Sequence, residues 1–385
     1  MSKHDFTAAE FTGRLASVRV ALAARDLDWL IAVHPASIHW LTGSDAKSYQ
    51  EFQCLLVGAR DEPLVVLTRR GEVHEFETDA LAGEVHGFGG GENEDPITAF
   101  AGMARRHGVL GKRVGLEVPA YYLHPHHYLG LRAVIGDALV TEATDLIAFL
   151  KLVKSPAEIA HIRRAAALAD LGMRRFVSDL APGKSELALA GGIYETLLGN
   201  GSGIAASPIN LVSGPRSAYG HGAPTARWLA LGDFGNVEFG ATFNRYTATI
   251  GRNFALGRPA PRMLELHDVV LRASDAMIAA IRDGVPATVP HEAARAIIGE
   301  AGLERYRVHT SGYGLGPGFP PSWAESLHMI GDSPHVLRAG MVVTVEPPVF
   351  VGPEGLGARI IDNVLVTTTG AELLTRASRD LIIVD

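Results

Sequence analysis

The amino-acid sequence predicts two domains: a smaller α/β domain over residues 1–153 and an α+β domain over residues 154–385 that carries the chemistry. Three observations lead there. In the first part, short runs of apolar β-formers alternate with helical stretches, the pattern of a mostly buried sheet flanked by helices. A helix-start signature, "KSPAEIAHIRR", follows that alternation. Beyond it, pairs of helices alternate with two hairpins, and each hairpin holds a glutamate among apolar neighbours.

Taken in order, Phe11, Leu15, Val18 and Leu22 keep helical spacing, so an amphipathic helix over 7–26 opens the chain. "DWLIAVHP", "EFQCLLVGA", "PLVVLT" and "RVGLEV" are expected to be buried strands. "HGFGGGEN" at 86–93 is glycine-rich but lacks the register and strand–turn–helix context of a nucleotide-binding loop. "HPHH" at 124–127 has no carboxylate partner beside it. Both are expected to be surface loops. At the boundary, Ser155 can cap a helix, Pro156 fits its first position and Glu158 completes a capping box, so a long helix follows. "GKSELALAGGIYETLLGNG" is a second helix ended by glycines. Hairpins at 229–256 and 341–367 enclose helices near 263–283 and 290–301, an order that implies internal pseudo-symmetry.

Composition narrows the function classes. The 385 residues are 47% hydrophobic and 20% charged, as in globular proteins, and the net charge of -7 with no basic block argues against a nucleic-acid partner. No apolar run is long enough to span a membrane. The start, "MSKHDFTAAEF", has no apolar core of a signal peptide, and the single cysteine, Cys54, excludes an internal disulfide. A cytoplasmic protein is the expectation.

The second part holds the candidate chemistry. His221 sits in the Gly/Pro-rich "SGPRSAYGHGAP" just before the first hairpin, where an imidazole can face a cleft as acid or base near neutral pH. Glu238 in "NVEFGA" and Glu346 in "VTVEPP" lie within apolar strands, where a carboxylate is costly without a cation, a metal or strong donors. A functional cleft explains them, and so do two structural ion pairs. "SGYGLGPGFPPSWAE" brings Tyr313, Phe319, Trp323 and Glu325 onto a stiff segment suited to the wall of a small-molecule pocket or to a packed surface loop.

Together these motifs resemble the pita-bread family of methionine aminopeptidase, aminopeptidase P, prolidase and creatinase. "GHGAP", "RYTATIGRNFALG", "GYGLG", "VTVEPP" and "ARIIDNVLVT" stand in the family's order and spacing. The resemblance implies a pita-bread catalytic domain preceded by a creatinase-type N-terminal domain. Peptidases of the family hold two metal ions with Asp, Asp, His, Glu and Glu. Those positions fall here on Glu238, Thr249, Tyr313, Glu346 and Ile361. Three of these are not ordinary ligands of a hard metal or zinc, and two carboxylates alone bind a divalent ion weakly.

The resemblance therefore implies no metal and no other cofactor, as in the creatinase and ectoine hydrolase branch. The expected activity is metal-independent hydrolysis of a C–N bond in a small cationic amidine or guanidino compound. Glu238 and Glu346 would grip the flat cation and His221 would serve as general acid and base. Tyr246 and Tyr313 would donate to the tetrahedral intermediate, and Phe319 and Trp323 would stack on the cation. Creatinase carries a catalytic Glu where Gly251 stands here, and a basic residue where Glu51 stands. The alternatives are an Xaa-Pro dipeptidase or aminopeptidase with an atypical metal site, and a non-catalytic homologue. The resemblance also implies a homodimer in which the loop around Tyr49–Gln53, with Tyr49 and Glu51, reaches a partner's active site.

Overall fold

In a computed structural model the structure describes residues 2–385, with the backbone alone at Ser48. The chain divides into two compact units, Met1–Lys151 and Leu152–Asp385.

The first unit runs α1 (Ala8–Ala24), β1 (Trp29–Ala32), α2 (Pro35–Thr42), β2 (Cys54–Gly58), β3 (Val65–Arg69), α3 (Val73–Asp79), β4 (Glu84–Phe88), α4 (Pro96–Arg106), β5 (Val114–Leu116), α5 (Pro125–Ile135), β6 (Val140–Glu142) and α6 (Thr144–Leu150). Its six strands lie in the order β4-β3-β2-β1-β5-β6. The β1/β2 and β2/β3 pairs are antiparallel and the β1/β5, β3/β4 and β5/β6 pairs parallel. Successive side chains of a strand point to opposite faces, and here both faces are covered. Leu30, Ala32, Leu55, Val57 and Val66 enter one core, with Val18 and Leu22 of α1 and Ile147 of α6. Trp29, Ile31, Cys54, Leu56, Val65 and Leu67 enter the other, with Phe100 and Met103 of α4 and Leu131 of α5. This two-sided burial explains why the strands read as unbroken apolar runs. Two segments expected as loops are partly regular. "HGF" of "HGFGGGEN" completes β4, and "HPHH" opens α5, with Pro125 in its first turn.

The second unit continues with α7 (Pro156–Asp179), α8 (Glu186–Gly199), β7 (Asn210–Ser213), β8 (Phe234–Phe243), β9 (Tyr246–Leu256), α9 (Pro261–Ala280), α10 (Thr288–Glu300), β10 (Tyr313–Phe319), β11 (Ser322–His328), β12 (Val342–Val345), β13 (Val349–Val351), β14 (Leu356–Ala358), β15 (Asp362–Val366), β16 (Ala371–Leu373) and β17 (Ile382–Val384). The capping box at α7 forms: Glu158 N donates to Ser155 Oγ at 3.2 Å and Ser155 N to Glu158 Oε2 at 2.9 Å. The main sheet runs β16-β15-β12-β10-β9-β8-β7, with β11 on β10 and β17 on β9. The second hairpin is not continuous, because β13 and β14 form a small separate sheet between β12 and β15.

Two helix pairs back this sheet. Phe176 of α7 and Ile193 of α8 pack on Val237, Phe239 and Ala241 of β8 and on Ile250 and Phe254 of β9. Val270 of α9 and Ile298 of α10 pack on Val343 and Val345 of β12 and on Val364 and Val366 of β15. Alternation then sends Asn236 and Glu238 of β8, Thr249 and Gly251 of β9 and Thr344 of β12 to the other face. One face of the sheet is thus a conventional core, and the other is a buried polar surface.

Candidate active site

That polar face carries a cleft. Glu238 is positioned from both sides, by its register opposite Asn210 of β7 and opposite Gly251 of β9. Asn210 Nδ2 donates to Glu238 Oε2 at 3.0 Å. Arg359, which follows β14, sends its guanidinium to Glu238 Oε2 and to the carbonyl of Gly220. Its own backbone N–H donates to Asn253 Oδ1 at 2.9 Å, and its guanidinium carbon lies 5.1 Å from the Phe350 ring centroid. A buried cation thus pairs with a buried carboxylate, which makes the burial of both tolerable.

Glu346 directly follows β12, and its N–H donates to the carbonyl of Ser311 at 2.9 Å. Its Oε1 lies 3.4 Å from His309 Nδ1. Its Oε2 is buried without a hydrogen-bond partner among the described residues. Burial, and next the charge of Glu238, hold the Glu346 carboxyl well above the usual range; Arg359 and hydrogen bonds from Tyr313 and Thr344 act in the opposite direction. Burial likewise raises the Tyr313 phenol, helped by Glu346 and Glu238, so Tyr313 stays protonated and able to donate. Its oxygen accepts from Trp323 Nε1 at 2.9 Å. Burial lowers His309 and favours its neutral form, with a smaller push from His221. The two imidazoles stand 5.3 Å apart between centroids. His221 is exposed at a turn. A cavity of about 240 Å³ opens over this group, lined by His221, Glu238, His309, Tyr313 and Trp323 among others.

Of the residues singled out in the sequence, the structure brings His221, Glu238, Glu346, Tyr313 and Trp323 together. It places others elsewhere. Tyr246 is fully buried, and its hydroxyl donates to Glu158 Oε1 at 2.8 Å, tying β9 to the start of α7. Phe319 is buried beneath Arg245, whose guanidinium carbon lies 4.3 Å from its ring centroid. Glu325 pairs with Lys154 beside the backbone of β10, where a Cβ on Gly316 would lie 2.2 Å from its Oε1. The glycines of "GYGLGPG" make room for that ion pair, so the expectation that Tyr246, Phe319 and Glu325 touch substrate is corrected. Tyr49 and Glu51 belong to the first unit; Tyr49 stands on a short 3-10 turn with its ring 6.0 Å from that of Tyr122. His309 and Arg359 were missed. Each lies inside or beside a quoted motif, and the need of a buried carboxylate for a cation pointed to an arginine in "ARIIDN".

The pattern of metallopeptidase family M24 matches residues 160–368, and that of the creatinase/prolidase N-terminal domain matches residues 14–153. The chain belongs to the M24 family. It is similar to the probable dipeptidase PepE of Mycobacterium bovis, 30% identical over 388 residues that span 100% of this chain and 99% of that protein. It is also similar to the Xaa-Pro dipeptidase of Pyrococcus furiosus, 32% identical over 62% of this chain and 67% of the other. Among solved structures, dipeptidase PepE from Mycobacterium ulcerans superposes with a TM-score of 0.87 at 28% identity, covering 98% of this chain and 99% of that one. The Xaa-Pro dipeptidase of Bacillus anthracis gives 0.85 at 25% identity, covering 97% and 99%. The pita-bread fold with its creatinase-type N-terminal domain is therefore established. The expectation of a metal-independent amidine or guanidine hydrolase is overturned, because relatives spanning the whole chain carry the names of enzymes that cleave dipeptides.

The family name implies bound metal, and the residues here do not fit a dinuclear centre. Thr249 N donates to Asn363 Oδ1 at 2.9 Å, its hydroxyl lies 3.4 Å from the same oxygen, and Ile361 is buried against Gly251. Between Glu238, Glu346, Arg359 and Ile361 there remains about 10 Å³, room for one water. The cation at this spot is a guanidinium. Among the described residues, no three ligand-type groups of the cleft converge closely enough to hold an ion.

Proposed function

We propose that this chain hydrolyses the peptide C–N bond of a short peptide, of the Xaa-Pro dipeptide class for which its relatives are named, in the cleft around Glu346. One observation carries the reading: among the described residues the buried Glu346 Oε2 has no donor, at a site that also holds Glu238, Arg359 and two imidazoles. Two ionised carboxylates and one guanidinium leave a single negative charge to match, and the ammonium of a dipeptide supplies it with three donors. Its approach favours ionised Glu346, so binding releases the proton that burial otherwise keeps there.

His309, held neutral by burial and close to Glu346, takes a proton from the attacking water as its oxygen bonds to the carbonyl carbon. His221, exposed at the mouth, delivers a proton to the leaving nitrogen as the C–N bond breaks. Tyr313, kept protonated, donates to the oxygen that gains charge. Family likeness and the relatives' names support the reaction class. Tyr49 and Glu51 remain, in this proposal, groups supplied by a second copy of a cytoplasmic homodimer.

The test incubates the purified chain with a series of Xaa-Pro dipeptides and measures released proline. Turnover that disappears in Glu346→Ala is expected. A folded protein that cleaves no member of the series overturns the proposal.

A further inference from the structure

A second group of ligand-type side chains lies in the first unit, at the edge of its sheet. Strand β4 pairs in parallel with β3, placing Glu84 opposite Val65 and His86 opposite Leu67. Val65 and Leu67 face α4 and α5, so Glu84, His86 and Phe88 face the same way. Phe88 joins that core. At the other end of the strand, Glu84 and His86 meet His107, the residue that caps the C-terminus of α4. Gly108 follows with a φ of 68°, a left-handed turn that ends the helix there. The fold therefore brings two positions of one strand face and one helix end to a common point.

The three ligand atoms are nearly equidistant. Glu84 Oε2 lies 3.3 Å from His86 Nε2 and 3.4 Å from His107 Nε2, and the two nitrogens are 3.3 Å apart. A tetrahedral ion with bonds of about 2.0–2.1 Å to nitrogen and oxygen has ligands about 3.3 Å apart. Without an ion the arrangement is awkward. Protons on both Nε2 atoms would face each other, and a proton on one alone satisfies only part of the group, whereas an ion would engage all three atoms at once. The C-terminus of α4 also favours positive charge at this point.

We propose that Glu84, His86 and His107 form a binding site for one divalent late transition ion, zinc being the reference case, that clips the edge strand β4 to the end of α4. Two imidazoles and one carboxylate are a donor set suited to such an ion, and water reaches the fourth position past Glu84, whose side chain is 47% exposed. Both rings bind through Nε2 and carry their proton on Nδ1. Arg106 opposes this, because its NH1 lies 3.4 Å from His86 Nδ1. Arg106 is exposed and free to turn outward.

The test is equilibrium dialysis of the full chain in zinc-buffered solution at micromolar free ion. The expected result is one zinc per chain, with affinity reduced at least about tenfold in Glu84→Gln and in His107→Gln. Arg106→Gln should bind several-fold tighter, and His126→Gln and Glu346→Gln should bind like the parent. Glu84 is exposed, so its variant tests the site without disturbing the core. No zinc bound by the parent overturns the proposal. So does zinc that survives both Glu84→Gln and His107→Gln, or zinc lost in Glu346→Gln instead.

Discussion

In the cleft, Glu238, Glu346, His221 and His309 stand around an arginine; at the sheet edge of the first unit, Glu84, His86 and His107 face one another directly. The cleft has the fold of a metal site and more ionisable groups, yet its lone pairs do not converge. Arg359 occupies the middle, one ligand position has turned to a threonine whose backbone is held by Asn363, and another to a buried isoleucine. The edge cluster belongs to no part of the molecule that family membership would single out, yet its three atoms have the spacing of a coordination shell. Competence for a metal is decided by where lone pairs point and by what cation already sits among them, rather than by the number of carboxylates or by ancestry.

The comparison can be broken most sharply at His309. If the cleft works through neutral imidazole, His309→Ala lowers turnover of the responsive dipeptide by about 10²–10⁴-fold. A loss below tenfold removes His309 from the reaction. Acidification should also reduce activity, but only below the ordinary histidine range, since burial lowers this ring; a limb near pH 7 or above points to another group.

Arg359 comes next. Arg359→Met leaves Glu238 buried without its cation, at a cost of about 3–5 kcal/mol in urea unfolding. The same variant should gain affinity for small cations, because the guanidinium no longer fills their place. A variant as stable as the parent would show that Glu238 needs no cation there.

Glu346 sharpens the comparison through pH. Its folded carboxyl is raised by burial, so the native state holds a proton that the unfolded chain gives up at about pH 4.5. Its contribution is fully present below that pH and is lost as pH rises toward and through the raised value. Glu346→Gln removes this dependence, so the variant should gain stability on the parent steadily as pH climbs from 5 to 8. Parallel pH–stability curves would refute the assignment. The smallest effect is expected at Tyr246→Phe. Loss of the bond to Glu158 costs about 1–3 kcal/mol of stability and should leave turnover unchanged.

Much of the fold was legible in the sequence. The capping box at Ser155 and Glu158 forms as its residue types require, and the apolar runs at 29–32, 54–58 and 65–69 are strands because both faces of their sheet are covered. Glu238 and Glu346 stood out because charge inside an apolar strand has to be matched. What the sequence did not disclose is where aromatic and polar groups point. Tyr246, Phe319 and Glu325 share motifs with cleft residues, but strand alternation and close backbone approach turn them inward. The Glu84, His86 and His107 cluster was invisible for another reason. Its third member is separated by a helix, and only the turn that ends α4 brings it home.

The two faces of β8 and β9 have a consequence for how such a chain changes over time. Val237, Phe239 and Ile250 answer to the helices behind them, while Glu238, Thr249 and Gly251 belong to the polar face that carries the cleft. A substitution on the cleft side therefore leaves the helix packing alone and is felt through the charges and close contacts of the polar face. A position on that face can exchange a ligand-type side chain for another group, as at Thr249, without touching the apolar packing behind the sheet. The architecture separates the surface that holds the helices from the surface that selects a substrate.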